Sequence, residues 1–221
     1  MNSKMSIFLI LFLLYSAKCF TKNEITLKTV YSGKQKILSD AFDRNSYPTS
    51  IEINGVPQQE IKNEYQFEEI INTIKLTWDY EITTMSKMFQ YLAIIESVDL
   101  SKFDSSNVIE MESTFKYCLS LKSIDFTNFN TSKVENMNFM FSGCKKLERL
   151  NLVSFDISQV TSFEEMFKGC SSLKTLNLEG FSFEPNTSTI DMFKDCNESM
   201  VYCIKNIPPD VQSQLKDFPN K

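Results

Sequence analysis

Cysteine is the residue type in this sequence that is best suited to do chemistry. Four cysteines follow one another at intervals of 26 residues: Cys118, Cys144, Cys170 and Cys196. Cys19 and Cys203 lie outside the series. A thiol can pair in a disulfide, bind a metal or act as a nucleophile, and the last two roles need the thiolate. The chain has no histidine and no C-x-x-C spacing, so the usual zinc ligand sets are missing. We predict no metal site, no cofactor and a buried row of thiols, with Cys196 and Cys203 as the candidate disulfide.

Catalysis has little support in the sequence. Without histidine, the commonest general base and the usual partner of a nucleophile are absent. The chain also has no G-x-S-x-G motif, no P-loop and no dinucleotide-binding fingerprint. Carboxylate pairs exist, but they recur with a period, whereas an active site is normally a unique constellation. We predict that the protein is not an enzyme and keep an uncharacterised enzyme as the least favoured alternative.

Polar residues recur with the same period as the cysteines. The candidate ligand-binding residues are Asp99, Asp125, Asn151 and Asn177 in one row, with Arg149 and Glu179 beside it. Equivalent residues of stacked repeats lie about 4.8 Å apart, so one extended partner can contact several of them. A surface rich in acceptors suits a basic peptide or a polyhydroxyl glycan. The alternative is a solvated polar face without a dedicated ligand.

Three N-glycosylation sequons add candidate modification sites. They begin at Asn130, Asn186 and Asn197. We expect the first two to lie in turns, where a glycan can be attached.

The elements that position these residues follow from the 26-residue period. Phenylalanine occurs at the same place in five successive repeats: Phe89, Phe115, Phe141, Phe167 and Phe193. Each repeat opens with apolar residues at alternating positions, as in Leu147, Leu150 and Leu152, which predicts a short strand with one buried face. Apolar residues then follow at helical spacing, and Ser106, Ser132 and Ser158 precede them as expected N-caps. The methionines and phenylalanines of this second segment are predicted to be core.

The full pattern, L-x-x-L-x-L-x-x-F-x-x-S-x-V-x-x-M-x-x-M-F-x-x-C, resembles the BspA-like leucine-rich repeats of surface and secreted proteins. The resemblance covers about residues 82–198, with Thr114, Phe163 and Asn186 as departures. It implies association with adhesion and contact with a host or matrix. The implied function is an analogy at the level of the fold.

These patterns predict an α/β solenoid with right-handed, leucine-rich-repeat-like coils. Parallel strands at about 95–101, 121–127, 147–153 and 173–179 would form a concave sheet, with helices on the convex side. We divide the chain into a signal peptide at 1–19, a small β-rich N-terminal cap at 20–68, the solenoid at 69–198 and a C-terminal cap at 199–221. The cap includes a hairpin that turns at Asn54-Gly55.

Residues 1–19 have the organisation of a secretory signal peptide. Lys4 supplies the positive charge, and Ile7 to Tyr15 form an apolar run too short to span a bilayer. We expect cleavage after Cys19, no membrane span in the mature chain and a secreted or extracellular-surface location. The net charge of −5 argues against nucleic acid as a partner. The favoured function is a recognition or adhesion module that binds an extracellular protein or glycan through the concave sheet, with a self-associating structural coat or matrix component as the alternative.

Overall fold

The computed structural model describes residues 23–184, 186–204 and 209–215. The eleven strands of this part of the chain form three sheets, and its one α-helix is the seven-residue α1 (Pro209–Leu215). The largest sheet is mixed and contains antiparallel pairs. The predicted α/β solenoid with convex helices is therefore wrong, because the described chain is almost entirely strands and turns.

The N-terminal region builds most of the large sheet. The strands of this region are β1 (Asn23–Thr29), β2 (Gly33–Lys36), β3 (Ser50–Ile53), β4 (Val56–Pro57), β5 (Glu64–Phe67) and β6 (Asn72–Trp78), with a 3-10 turn at Arg44–Ser46. Strands β2 and β5 pair with each other in a separate two-stranded sheet, and the other four belong to the large sheet. The predicted hairpin is confirmed: β3 and β4 pair antiparallel, and Asn54 and Gly55 both have positive φ, as a type I′ turn requires. The indole N–H of the buried Trp78 donates to the Ser46 carbonyl.

The repeats contribute one strand each, at the position where the apolar residues alternate. These strands are β7 (Ile95–Lys102), β8 (Ser123–Asp125), β9 (Arg149–Asn151), β10 (Thr175–Leu178) and β11 (Val201–Ile204). They pair in parallel within two separate sheets, one in the order β4-β3-β6-β1-β7-β8 and the other in the order β11-β10-β9. Strand β1 also pairs antiparallel with β7, so the N-terminal region and the repeats share one sheet. The continuous parallel sheet expected along the repeats is interrupted between β8 and β9.

The predicted helices are turns because two residues in each repeat are left-handed. The first has φ of 52–61° at Lys87, Ser113, Phe139, Glu165 and Asp191, and the second has φ of 58–75° at Tyr91, Tyr117, Gly143, Gly169 and Asp195. A left-handed residue every few positions cannot continue a right-handed helix. Apolar residues at intervals of three and four still point inward, which is why the sequence imitates a helix.

Backbone hydrogen bonds show what replaces the helix. The N–H groups of Met111 and Ser113 donate to Asn136 and Asn138 of the next repeat, at 3.1 and 2.8 Å, while the N–H of Thr114 turns back to Met111. Bonds to the next coil thus alternate with local turns, and isolated parallel bridges link residues 84, 110, 136, 162 and 188. The donors that a helix would bond to the residue four places earlier bond between coils instead.

The prediction of serine N-caps is also wrong, because the segments that follow these serines are turns and not helices. Ser106, Ser132 and Ser158 follow an Asp or Asn by two positions and donate their own N–H to its side-chain oxygen at 2.9–3.0 Å. The capping residue is therefore the Asp or Asn, and the structure it closes is a turn.

The core prediction is confirmed by the stacked aromatic rings. The five phenylalanines of the main series are buried, with neighbouring ring centroids 5.5–5.8 Å apart and nearly parallel planes. Phe103, Phe129 and Phe155 form a second buried stack at 6.0–6.3 Å. The series cysteines are buried beside the first stack.

Helix α1 lies against the last repeat. Its Val211 and Leu215 are buried, and the side chain of Gln214 donates to the Thr189 carbonyl at 2.9 Å. The Thr189 hydroxyl also bonds to the Asp210 carboxylate. Within the described part of the chain, no helix has the length and apolarity needed to span a membrane. The proposed signal peptide, including Cys19, lies outside the described residues.

Candidate functional site

The predicted binding row lies on the outward face of the repeat strands, in two groups. Asp99 and Asp125 are register partners in β7 and β8, and Asn151 and Asn177 are partners in β9 and β10. Because β8 and β9 do not pair, strand register relates the residues only within each of the two groups. Arg149 is the partner of Thr175 in the second group and is exposed, and Glu179 is exposed just beyond β10.

Each residue of this row already has a structural task. The side-chain oxygens of Asp99, Asp125, Asn151 and Asn177 accept the backbone N–H two residues further on, at 2.9–3.2 Å. These bonds close the turn that follows each strand. Hydrogen bonds from the Thr127 hydroxyl and backbone also lower the pKa of the Asp125 carboxyl. The recurrence of Asp or Asn at this position is thus explained without a ligand, although one side of each side chain still faces solvent.

The break between β8 and β9 has a local cause. The third apolar position of the strand segment is leucine in three repeats, at 100, 152 and 178, but Phe126 occupies it in the repeat that contains β8. The Phe126 ring is buried and packs edge-on against Phe141 and Phe155, with centroid separations of 6.3 and 5.0 Å. A ring that projects into the next coil takes more room than leucine. We attribute the loss of strand pairing at this step to it.

Two cavities lie over this break. One of about 510 Å³ is lined by residues of both neighbouring repeats, among them Ser123 and Arg149. The other, of about 460 Å³, extends from Ile124 across β9 and β10 to Cys203 on β11. Arg149 lines both cavities, so they form adjacent parts of one surface.

Charged residues at these cavities are only partly paired. Lys122 forms an ion pair with Glu96 at 2.6 Å, and Lys174 forms one with Glu148 at 2.8 Å. The Lys174 ammonium, by hydrogen bond and charge, lowers the pKa of the Glu148 carboxyl, and Arg149 and Lys122 lower it further.

Two further cations complete this surface. Lys146 and Arg149 are exposed, and neither takes part in an ion pair with any residue that the structure describes. The surface therefore carries excess positive charge in a chain whose net charge is −5.

The cysteines differ in environment. Each thiol of the buried series donates to the carbonyl of the phenylalanine 29 positions earlier, at 3.0–3.2 Å. Burial raises the pKa of all four, to about 12 for Cys196. Cys203 is exposed, in register with Asn177, and both it and Cys196 are free thiols. The suggested Cys196–Cys203 disulfide is not formed here, and it would require Cys196 to leave its hydrogen bond in the core.

The sequon asparagines are at the surface to different degrees. Asn130 and Asn186 are exposed, whereas Asn197 is half-buried. The side-chain oxygens of Asn130 and Asn197 accept the N–H of the residue two positions on. Glycosylation at these sites stays a prediction.

The structure contains an exposed pair of aromatic rings that the sequence patterns did not predict. The rings of Tyr91 and Tyr117 stack at 5.3 Å and are 62% and 39% exposed. Both residues are left-handed, at a position where the next two repeats have glycine. The step of 26 residues between them was the available signal. In the described ranges, no three His, Cys, Asp or Glu side chains gather as a metal site.

Comparison with known proteins gives one match. The family described as "Mycoplasma protein of unknown function, DUF285" matches residues 83–204, which is more than half of the chain and covers the repeats. No curated protein and no solved structure matches.

Proposed function

The chain belongs to the family described as Mycoplasma protein of unknown function, DUF285, and from this premise we propose that it is a secreted or cell-surface recognition module. In this proposal it binds an extracellular protein or glycan through the outward face of its repeat strands. The proposal includes export by residues 1–19 and a relationship to the BspA-like repeats, which the pattern of this chain resembles.

The observation that carries the proposal is the division of labour within each repeat. The apolar side chains that recur in the strands and turns are buried in the core, whereas the outward strand positions present polar groups in register within each pair of hydrogen-bonded strands. Register places equivalent side chains at the spacing of neighbouring strands, about 4.8 Å, so that weak contacts add along an extended partner.

A pair of bulky substitutions tests which face is used. Ser123→Tyr with Thr175→Tyr places uncharged rings on exposed strand positions, where tyrosine fits a strand. Thr83→Tyr with Thr161→Tyr is the matched control at exposed positions outside the strands, in the segments that lead into the turns (the turn face). The mature proteins are immobilised, and their retention of material from the native extracellular setting is measured.

We expect the strand-face pair to lower retention at least tenfold and the control pair to change it less than twofold. The reverse pattern would assign recognition to the turn face and overturn the proposal. Self-association is measured on the same samples by analytical ultracentrifugation. A chain that assembles with itself and retains nothing else would favour the structural coat.

A further inference from the structure

We infer that the surface over the β8–β9 break binds an extended acidic peptide segment, in which a carboxylate is received by Lys146 and Arg149 and a neighbouring apolar side chain enters the cavity over β9–β11. This inference rests on the proposed function and names its partner class and its place on the strand face.

Lys146 and Arg149 differ from the neighbouring cations in having no ion-pair partner among the described residues. Lys122 and Lys174 are neutralised by Glu96 and Glu148, at N–O distances of 2.6 and 2.8 Å. Lys146 and Arg149 line the same cavity without an ion pair among the described residues. A carboxylate from a partner supplies the missing charge, and the guanidinium of Arg149 can receive both of its oxygens.

The lining of the second cavity distinguishes a peptide from an acidic glycan. The apolar side chains with exposed surface in its lining are Ile124 and Val201, since those of Leu150 and Leu176 are buried in the core, and its polar side chains are Arg149, Asn151, Thr175 and Asn177. An apolar side chain gains from entering such a cavity, by roughly 25 cal/mol for each Å² removed from water. A polyuronate chain brings carboxylates but no side chain of this kind.

The position of the site follows from the one irregular step in the strand ladder. Strands β8 and β9 are not paired at this step, and both cavities contain residues from either side of it. The neighbouring repeats have serine where Lys146 stands, and serine and threonine where Arg149 stands, so both cations are unique to this coil.

Selection from a displayed library of random dodecapeptides tests the inference on the full mature chain. We expect selected peptides to be enriched in Asp or Glu within two residues of a large apolar side chain. A labelled peptide from the selection should bind at least tenfold more weakly to Lys146→Gln with Arg149→Gln. Its affinity should also fall between 50 and 500 mM salt, because exposed charges are screened.

Matched variants isolate the two parts of the site. Lys28→Gln with Lys133→Gln removes two exposed cations elsewhere and should change the affinity less than twofold. Val201→Thr keeps the side-chain shape while making it polar, and should weaken the peptide about threefold to tenfold. Thermal unfolding of each variant verifies that the fold is retained.

Three results would overturn the inference: selected peptides without acidic enrichment, equal affinity for the Lys146/Arg149 variant, or binding of a polyuronate with no peptide selected. If native material is retained through the strand face while one of these results appears, only the acidic-peptide site fails. If a peptide binds at the site but no native material is retained, the proposed function fails and the site stands.

Discussion

Two glycines at equivalent positions of neighbouring repeats should respond differently to the same substitution. Gly143 and Gly169 both have positive φ, 75° and 72°, so a side chain at either position brings the strain of the left-handed region, about 1–2 kcal/mol. A Cβ at Gly169 would meet nothing closer than Gly143 Cα, at 3.7 Å. A Cβ at Gly143 would lie 2.6 Å from Cδ1 of Tyr117. Gly143→Ala therefore adds the displacement of an aromatic ring.

The extra cost is limited by what the ring loses. Tyr117 is partly exposed and can move outward, which gives up its stacking with Tyr91, and such a pair contributes about 0.5–1.5 kcal/mol. We expect Gly169→Ala to lower the free energy of unfolding by about 1 kcal/mol and Gly143→Ala to lower it by about 1.5–3 kcal/mol. In a Tyr117→Ala background, Gly143→Ala should cost no more than Gly169→Ala.

Urea unfolding followed by circular dichroism and by Trp78 fluorescence measures these differences, and an unchanged m-value shows that the same transition is compared. Equal costs at the two glycines would refute the contact between Gly143 and the Tyr117 ring. An excess at Gly143 that persists without the Tyr117 ring would place its cause elsewhere in the backbone.

Further predictions concern the core, the thiols and export. Phe141→Ala should cost about 3–5 kcal/mol in urea unfolding, because Phe141 is stacked on both faces, and a loss below 1 kcal/mol would contradict a rigid stack. In native protein, iodoacetamide should label Cys203 rapidly and leave Cys196 unmodified, as read by peptide mass. The free energy of unfolding should fall as pH rises above 9, because the Cys196 thiol has a pKa of about 12 in the folded chain and an ordinary pKa of 9.0. Above pH 9 the thiol of the unfolded chain therefore loses its proton first, which favours unfolding. A free energy of unfolding in urea that stays constant between pH 9 and 11 would contradict this prediction. Intact mass of secreted protein should show a new N-terminus at Phe20.

The sequence predicted the period, the core and the hairpin because each depends on side-chain pattern alone. It could not distinguish a helix from coils held by alternating bonds, since both turn apolar residues inward at intervals of three and four. Gly143 signals a left-handed residue, but Lys87 and Phe139 take the same conformation without any mark in the sequence. There the bonds between coils decide the backbone, and those bonds depend on neighbours 25 residues away.

The candidate site could likewise be predicted only in part from the sequence. Asp125 lies at the exposed strand position that the sequence predicts, but the pattern did not predict its role in the turn, although Asp is a residue type whose side chain commonly closes such turns. We attribute the break at β8–β9 to a single enlargement, from leucine to Phe126, and a pattern of apolar residues treats these two residue types as equivalent. Its consequence for strand pairing becomes visible only once the rings of adjacent coils are placed together.

Residues that recur in every repeat can be distinguished from residues that occur only once, and the two groups point to different roles. A residue that returns in every coil is accounted for by what each coil needs: a ring in the stack, a thiol on the preceding carbonyl, an Asp or Asn that closes the turn. A site for one ligand needs an arrangement that occurs once. Lys146, Arg149 and Phe126 each depart from their rows, and the three departures meet at the only step where adjacent repeat strands in the described chain are not paired. Because the repeats on either side hold serine, threonine or leucine at these positions, stacking does not require these three residues, and recognition of a partner is the role that we propose for the two cations among them.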